Sequence, residues 1–390
     1  MSYRFADLPP HIQVAFDISP LGEIRFTGIS NVVAKLLAHL RSVCGGRLHA
    51  FSCGVVVPEA VISEVLASAS GVALREFKGG RSVFSLVAER PDQTFLGLFG
   101  GVKTVNNLFP FEAQIVYDLT ILLTRECHSR GAMDHHLGAL ERDSTSNDLS
   151  ICISNATRDD FITYLGVAPQ SAIVIPPGVD PPRNIESQLR SFDERYKVEP
   201  YFIVLNTIEP RKNVPLVLRM MREHAGCVDG LLAVFVGHHG WGPSFAGLIA
   251  EAGLTDMFAS GRIRHLGYVG DLEREVLLRK AEFLIYPSFY EGFGLPVLEA
   301  LRVGCPVVSS FSSSLPEAGG DAACYFDPLD AASLANAITR MRVDLAADAT
   351  RVRKRGQAHA AHFGWDRFCA GVEAAVCRAA AAKLGLNLGR

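Results

Sequence analysis

Residues 283–309 leave this chain few choices of fold. They open on a short apolar run, Phe283-Leu-Ile-Tyr286, which reads as a buried strand. Gly292 and Gly294 follow, and glycine lets a backbone turn sharply and approach a ligand closely. Pro296 suits the first turn of a helix, where a missing N–H costs nothing. Gly304 stops that helix, and residues 306–309 restart a strand. The pattern is strand, glycine loop, helix, strand. Such a loop aims helix amides at the carboxyl edge of a parallel sheet, where ligands bind and an anion is favoured. Two carboxylates frame it, Glu291 before the loop and Glu299 one helical turn inside. Taken as an isolated pair, they read first as two surface glutamates of an ordinary βαβ unit.

The rest of the chain sets bounds. Its 390 residues are enough for two sizeable cores, since single cores stop growing near ~250–300 residues. With 48% hydrophobic and 20% charged residues it is expected to be globular. A formal net charge of −3 makes no general case for nucleic acid as a partner. No run approaches the ~20 apolar residues of a membrane-spanning helix, and the first ten residues lack the apolar core of a signal peptide. The nine cysteines are scattered with no Cys-x-x-Cys pair, which fits reduced thiols in a cytoplasm. His135-His136 and His238-His239 are adjacent pairs without the spacing of metal ligands, and Asp-x-Asp is absent. No metal site and no cofactor are expected.

Glu291-Gly-Phe-Gly-Leu-Pro-Val-Leu-Glu299-Ala, followed by Gly304-x-Pro-Val-Val-x-Ser310, resembles the donor-binding signature of the GT4 family of retaining glycosyltransferases. The likeness extends to other segments. Residues 12–18 read as a strand, and Thr27-Gly28-Ile29 before the first long helix is similar to the family's Thr-Gly-Ile. The glycine loop at Gly28 reads either as a plain turn or as amides meeting a diphosphate or an acceptor hydroxyl. Tyr117-Asp118 ends a strand where the family has His-Asp, so a tyrosine hydroxyl replaces the histidine that reaches the donor sugar. Glu126-Cys-His128 is similar to the family's Pro-Glu-x-His region, with Arg125 for proline; His128 reads as structural before catalytic. Residues 149–154 form a strand, with Asn155 or Thr157 capping the next helix. The prolines from Pro176 to Pro182 and the polar run after them mark a linker near 181–197.

The second half opens with a strand at 201–205 and the loop Thr207-Ile-Glu-Pro-Arg211-Lys212-Asn213. Cations at a helix start are disfavoured by the helix dipole. A bound diphosphate resolves the conflict, because arginine bridges two phosphate oxygens and lysine adds a point charge. Glu-Pro-Arg-Lys-Asn also resembles the family's motif, though the family has glycine where Asn206 stands. Gly237-His-His-Gly-Trp241 is not the dinucleotide fingerprint; Trp241 packs the domain or the base. Residues 262–269 read as a strand whose end, at Tyr268 and Val269, meets the base. Ser314-Leu-Pro-Glu317 reads as a capping box, and residues 365–384 as a long amphipathic helix.

The resemblance implies an α/β chain of the GT-B fold, two doubly wound Rossmann-like domains facing a central cleft. The division expected is 1–182 on the acceptor side, 198–364 for the nucleotide sugar, and 365–390 as a helix crossing back. It further implies a retaining, metal-independent transferase that takes a nucleotide-sugar donor. Arg211, Lys212 and the amides of Gly292, Phe293, Gly294 and Leu295 would meet the leaving diphosphate. Glu291 would contact the sugar ring, Glu299 the ribose, and Asp118 would organise the first-domain wall. Gly28, Tyr117, Thr207, Tyr268 and Val269 complete the donor-site candidates. The motif variants look most like bacterial mannosyltransferases of polysaccharide and O-antigen assembly, so the expected donor is GDP-mannose and the acceptor a glycan or lipid-linked saccharide. The location expected is cytoplasmic, with peripheral contact at the inner membrane face. A non-catalytic nucleotide-sugar sensor or scaffold, and a nucleotide-sugar epimerase of the same fold, stay open as alternatives.

Overall fold

The computed structural model describes residues 3–128, 130–196 and 199–386; the side chains of residues 132, 134, 135 and 192–196, His135 among them, lie outside what is described. The chain divides into two units. The first comprises Met1–Leu123, His128–Gly178 and Trp365–Arg390, the second Thr124–Cys127 and Val179–Gly364.

The first unit carries β1 (Ile12–Asp17), β2 (Leu48–Ser52), β3 (Val55–Val56), β4 (Thr94–Phe99), β5 (Phe111–Val116), β6 (Leu149–Cys152) and β7 (Ala172–Val174). They form a seven-stranded sheet in the order β3-β2-β1-β4-β5-β6-β7. Only the short β2–β3 edge pair is antiparallel. Every residue of β1 and β5 is buried, the polar Gln13, Asp17, Glu112 and Gln114 included, as strands covered on both faces are. The C-terminal helix Trp365–Leu384 belongs to this unit. It is anchored by the buried Glu373. That carboxylate accepts from the Phe5 amide at 2.8 Å and meets His39 Nε2 at 2.8 Å.

The second unit carries β8 (Tyr201–Leu205), β9 (Leu232–Val236), β10 (Ile263–His265), β11 (Leu284–Tyr286), β12 (Val307–Ser310) and β13 (Ala323–Phe326). All pairings are parallel, in the order β10-β9-β8-β11-β12-β13. Counted within the unit, that is the doubly wound order 3-2-1-4-5-6. The winding reverses between β8 and β11. Ligands of such sheets bind at that switch point, beyond the carboxyl ends of the strands. In the core Phe202 and Phe283 stack at 5.9 Å, so these two strands are also joined by packing.

Four local readings need correction. The stretch read as a linker holds a helix, Glu186–Tyr196, because its prolines stop at Pro182 and strong helix formers follow. The strand expected over 262–269 covers only Ile263–His265, since Gly267 turns away at φ +65°. The helix Asn155–Leu165 is capped by Ser154, whose hydroxyl accepts from the Thr157 amide at 2.9 Å. Ser314 caps no helix; its hydroxyl serves Glu291, as described next.

Candidate functional site

Two loops meet at the second unit's switch point. The one after β8 runs through Asn206 and Glu209 into a tight turn, Pro210–Lys212. Asn213 then takes the left-handed conformation, φ +53°, and starts the helix Val214–Glu223. Asparagine tolerates that region better than most residues. Its side-chain amide also donates to Pro287 O at 3.1 Å and Pro328 O at 2.8 Å. The Phe289 amide donates to Arg211 O at 2.9 Å. These bonds fasten the β8 loop to the loop after β11. From the other side the β9 loop presses in: a Cβ on Gly237 would lie 1.8 Å from Asn206 O, so no other residue fits there.

The fastened loops bring Arg211, Lys212 and Glu291 into contact. Arg211 Nη1 donates to Tyr290 O at 2.8 Å and to Glu291 Oε2 at 3.0 Å. Its Nη2 donates to Glu209 Oε1 at 3.0 Å. Lys212 Nζ donates to Glu291 Oε1 at 2.7 Å, and the Tyr286 hydroxyl donates to the same oxygen at 3.0 Å. The backbone of Glu291 is held as firmly. Its amide donates to Ser313 Oγ at 2.8 Å, and its carbonyl accepts from Ser313 at 3.0 Å and Ser314 at 2.8 Å. Glu291 is 8% exposed. Burial alone would raise its pKa, but Lys212 and Arg211 outweigh burial and hold the carboxyl at about 2. Burial, with the neighbouring carboxylate, pushes the Tyr286 hydroxyl well up, so it stays protonated and donates.

The conflict between two cations and a helix start is thus resolved first by carboxylates of the chain itself. Glu209 and Glu291 balance Arg211 and Lys212. Glu209, Tyr286, Ser313 and Ser314 were not among the expected site residues. Glu209 was visible inside the Glu-Pro-Arg-Lys-Asn motif; the others are joined to the site only by folding.

Past Glu291, Gly294 takes φ +104° and a Cβ there would lie 2.6 Å from Leu315 Cδ2. Gly294 therefore carries the sharp turn, while Gly292 has no positive φ. Phe293 is buried against Phe363, with ring centroids 5.6 Å apart. The helix Leu295–Arg302 follows, with Pro296 in its first turn. The amides of Phe293, Gly294 and Leu295 make no backbone bond among the described residues. Glu299, partly buried on this helix, is gripped by Arg274 through Nε and Nη2, each at 3.3 Å. Burial raises its pKa and Arg274 opposes that. Thr207 lies against Gly240 in the β9 loop. Of the pair expected near a base, Tyr268 is exposed and Val269 buried.

The first unit gathers the remaining candidates around its own switch point, between β1 and β4. A cavity of about 1510 Å³ is lined there by Glu23, Tyr117, Asp118, Thr120 and His128, among others. Tyr117 directs its hydroxyl to Gly100 O at 2.9 Å, which uses its one proton; toward a ligand it can only accept. Burial pushes this phenol up, so it stays neutral. Asp118 Oδ1 accepts from the Thr120 amide at 3.0 Å and hydroxyl at 2.6 Å, capping the short helix Thr120–Leu123. Gly28 begins the helix Gly28–Cys44. Glu23 stands at that helix start, accepting from Thr27 at 2.8 Å and Ser30 at 2.6 Å. A diphosphate at Gly28 would meet that like charge. Asp17, also overlooked, is buried at the end of β1 and accepts from Ser19 and Thr104; burial raises its pKa against those bonds.

Among the described residues no cluster of three or more His, Cys, Asp or Glu side chains has the arrangement of a metal site, and no helix is long and apolar enough to cross a membrane.

Residues 186–358 match the family described as glycosyl transferases group 1. The chain is 29% identical over 267 residues to O-antigen chain mannosyltransferase B of Escherichia coli, covering 64% of this chain and 66% of that protein. It is 29% identical over 241 residues to the MMP alpha-(1->4)-mannosyltransferase of Mycolicibacterium hassiacum, covering 59% and 55% of the two chains. The matches thus span less than two thirds of these relatives' lengths. Among solved structures, Anabaena HepE in complex with UDP and glucose superposes with a TM-score of 0.67 at 17% identity, over 92% of this chain and 98% of that one. Sucrose-phosphate synthase from Thermosynechococcus elongatus does so with a TM-score of 0.65 at 18% identity, over 92% and 97%. These likenesses establish the fold, GT-B, with two Rossmann-like domains.

Proposed function

Residues 186–358 form a domain of the glycosyl transferases group 1 family, and from that premise we propose that the protein is a retaining glycosyltransferase. It moves a hexose from a nucleotide sugar to a hydroxyl of a glycan or lipid-linked acceptor. The donor is GDP-mannose; the support for the sugar is that relatives on which the chain aligns are named mannosyltransferases. The observation that carries the reading is the cluster of Arg211, Lys212 and Glu291 at the switch point of the second unit.

Glycosyl transfer passes through an oxocarbenium-like state while a diphosphate leaves. The departing charge needs fixed donors, and groups already oriented cost no reorganisation. Arg211 and Lys212 are such groups, with the amides of Phe293, Gly294 and Leu295 alongside. The reaction needs no metal in this reading. Glu291, ionised and immobile, receives sugar hydroxyls and holds the two cations in place. Glu299 accepts the ribose hydroxyls, with Thr207, Tyr268 and Val269 bordering the base. In the first unit Tyr117 and Asp118 line that unit's own cavity, where the Tyr117 hydroxyl can accept from a saccharide hydroxyl, and Gly28 opens the helix beside it. The acceptor oxygen bonds to the anomeric carbon as the carbon–phosphate oxygen bond breaks on the same face. The acceptor's proton passes to the leaving phosphate.

The test is incubation with GDP-mannose, in chelator, with a panel of mannose-terminated oligosaccharides, followed by mass spectrometry and anomer assignment. Mannosyl transfer with retained configuration is expected, and Arg211→Ala should lower the rate about 10²–10³-fold. Nucleotide release with no glycoside formed would reject the transferase reading, and inversion at the anomeric carbon would reject retention.

A further inference from the structure

Arg211 is held along two edges by different carboxylates. On the Nη1 edge Glu291 is fixed: it is 8% exposed, its amide and carbonyl are bonded to Ser313 and Ser314, and Tyr286 and Lys212 hold its side chain. On the Nη2 edge Glu209 Oε1 accepts at 3.0 Å. Glu209 is itself positioned by the β9 loop. A Cβ on Gly240 would come within 3.3 Å of Glu209 Oε2 and 2.7 Å of Thr207 Cγ2, so glycine lets this loop close over the turn. The side chains of Arg211 and Glu209 are only 16% and 18% exposed, so solvent screens their pairing weakly.

We infer that Glu209 competes with the diphosphate for the Nη2 edge of Arg211, and so sets how tightly the nucleoside diphosphate product is held. This rests on the diphosphate reading of the site given above. Guanidinium binds phosphate best through two parallel N–H bonds from one edge. Nη1 spends its N–H bonds on Glu291 and Tyr290 O, so a bidentate grip must recruit Nη2, on which Glu209 already draws. A dianion arriving there also meets the Glu209 charge directly. Glu209 is therefore a positioning residue that weakens diphosphate binding while keeping Arg211 oriented. The consequence is easier product release.

The experiment is calorimetric titration of the full chain with inorganic pyrophosphate, at low and at physiological salt. The proteins are wild type, Glu209→Gln, Glu209→Asp and Arg211→Ala. Glu209→Gln keeps a hydrogen-bond acceptor and removes the charge; it should bind pyrophosphate about tenfold more tightly than wild type, with the gain shrinking as salt rises. Glu209→Asp keeps the charge and should stay within about twofold of wild type. A role in folding alone would not produce tighter binding. Should Glu209→Gln not fold, Glu209→Ser carries the same comparison. If wild type binds and the uncharged variant binds equally or more weakly, the competition is overturned while the site reading stands. If neither wild type nor variant binds pyrophosphate, the diphosphate reading itself falls.

Discussion

Glu291 is the residue on which most of the site's bonds converge, and its ionisation couples the site to folding. Its folded-state pKa, about 2, lies below its ordinary value of 4.5. The stabilisation it contributes is therefore complete above pH 4.5 and is lost as the pH falls toward 2. The difference corresponds to about 3 kcal/mol. Urea denaturation of wild type and Glu291→Gln, followed across that window, should show the two converging as the acid is approached; parallel curves would contradict the pairing. Glu291→Gln leaves Arg211 and Lys212 without their charge partner and should be the less stable at neutral pH. Tyr117 offers a second residue-scale test. Tyr117→Phe strands Gly100 O and should cost about 1–3 kcal/mol in thermal denaturation. In the transferase reading it should also raise the donor KM, since one acceptor for a sugar hydroxyl is lost. At this scale the sequence disclosed residue types but not their pairings. Arg211 and Lys212 stood out because two cations at a helix start need an anion. That Glu291, far along the chain, is that anion appears only when β8 and β11 lie side by side.

The elements were legible where local rules decide and less so where tertiary contacts do. The strand–loop–helix–strand of residues 283–309 forms as its glycines and prolines dictate, because each sits where its backbone preference is needed. Ser314 has the spacing of a capping box, yet its hydroxyl is drawn to the Glu291 carbonyl, a contact no local pattern encodes. Helix Glu186–Tyr196 was hidden by the prolines before it. In the first unit Glu23 and Asp17 escaped notice because isolated carboxylates near a strand end carry no spacing signal. The tightest element-scale constraint is the turn at Gly294. Gly294→Ala combines φ +104° with a Cβ 2.6 Å from Leu315. It should cost roughly 1–3 kcal/mol and disturb the amides that follow. The check is thermal denaturation together with nucleotide binding; an unaltered melting temperature would show that the turn relaxes freely.

For the molecule as a whole, the alternation of strands and helices dictated doubly wound units, and the sheet order then locates a switch point in each. Apolar strands in βα units could be counted from sequence, whereas their lateral order depends on packing and could not. The C-terminal helix Trp365–Leu384 shows how distant segments complete a unit: Glu373 ties it to Phe5 and His39. Glu373→Ala leaves a buried amide and an imidazole unpaired and should destabilise the first unit by about 2–4 kcal/mol. Hydrogen exchange should locate the loss in residues 5–44 and in that helix.

In this reading the switch point of the second unit is a diphosphate site built on Arg211. It is tested most directly by calorimetric titration of wild type and Arg211→Ala with GDP, UDP, dTDP and ADP in chelator. Wild type should bind one of these nucleotides, GDP, and Arg211→Ala should lose the affinity while keeping its fold. Binding of none of them, or binding that survives the loss of Arg211, would contradict it.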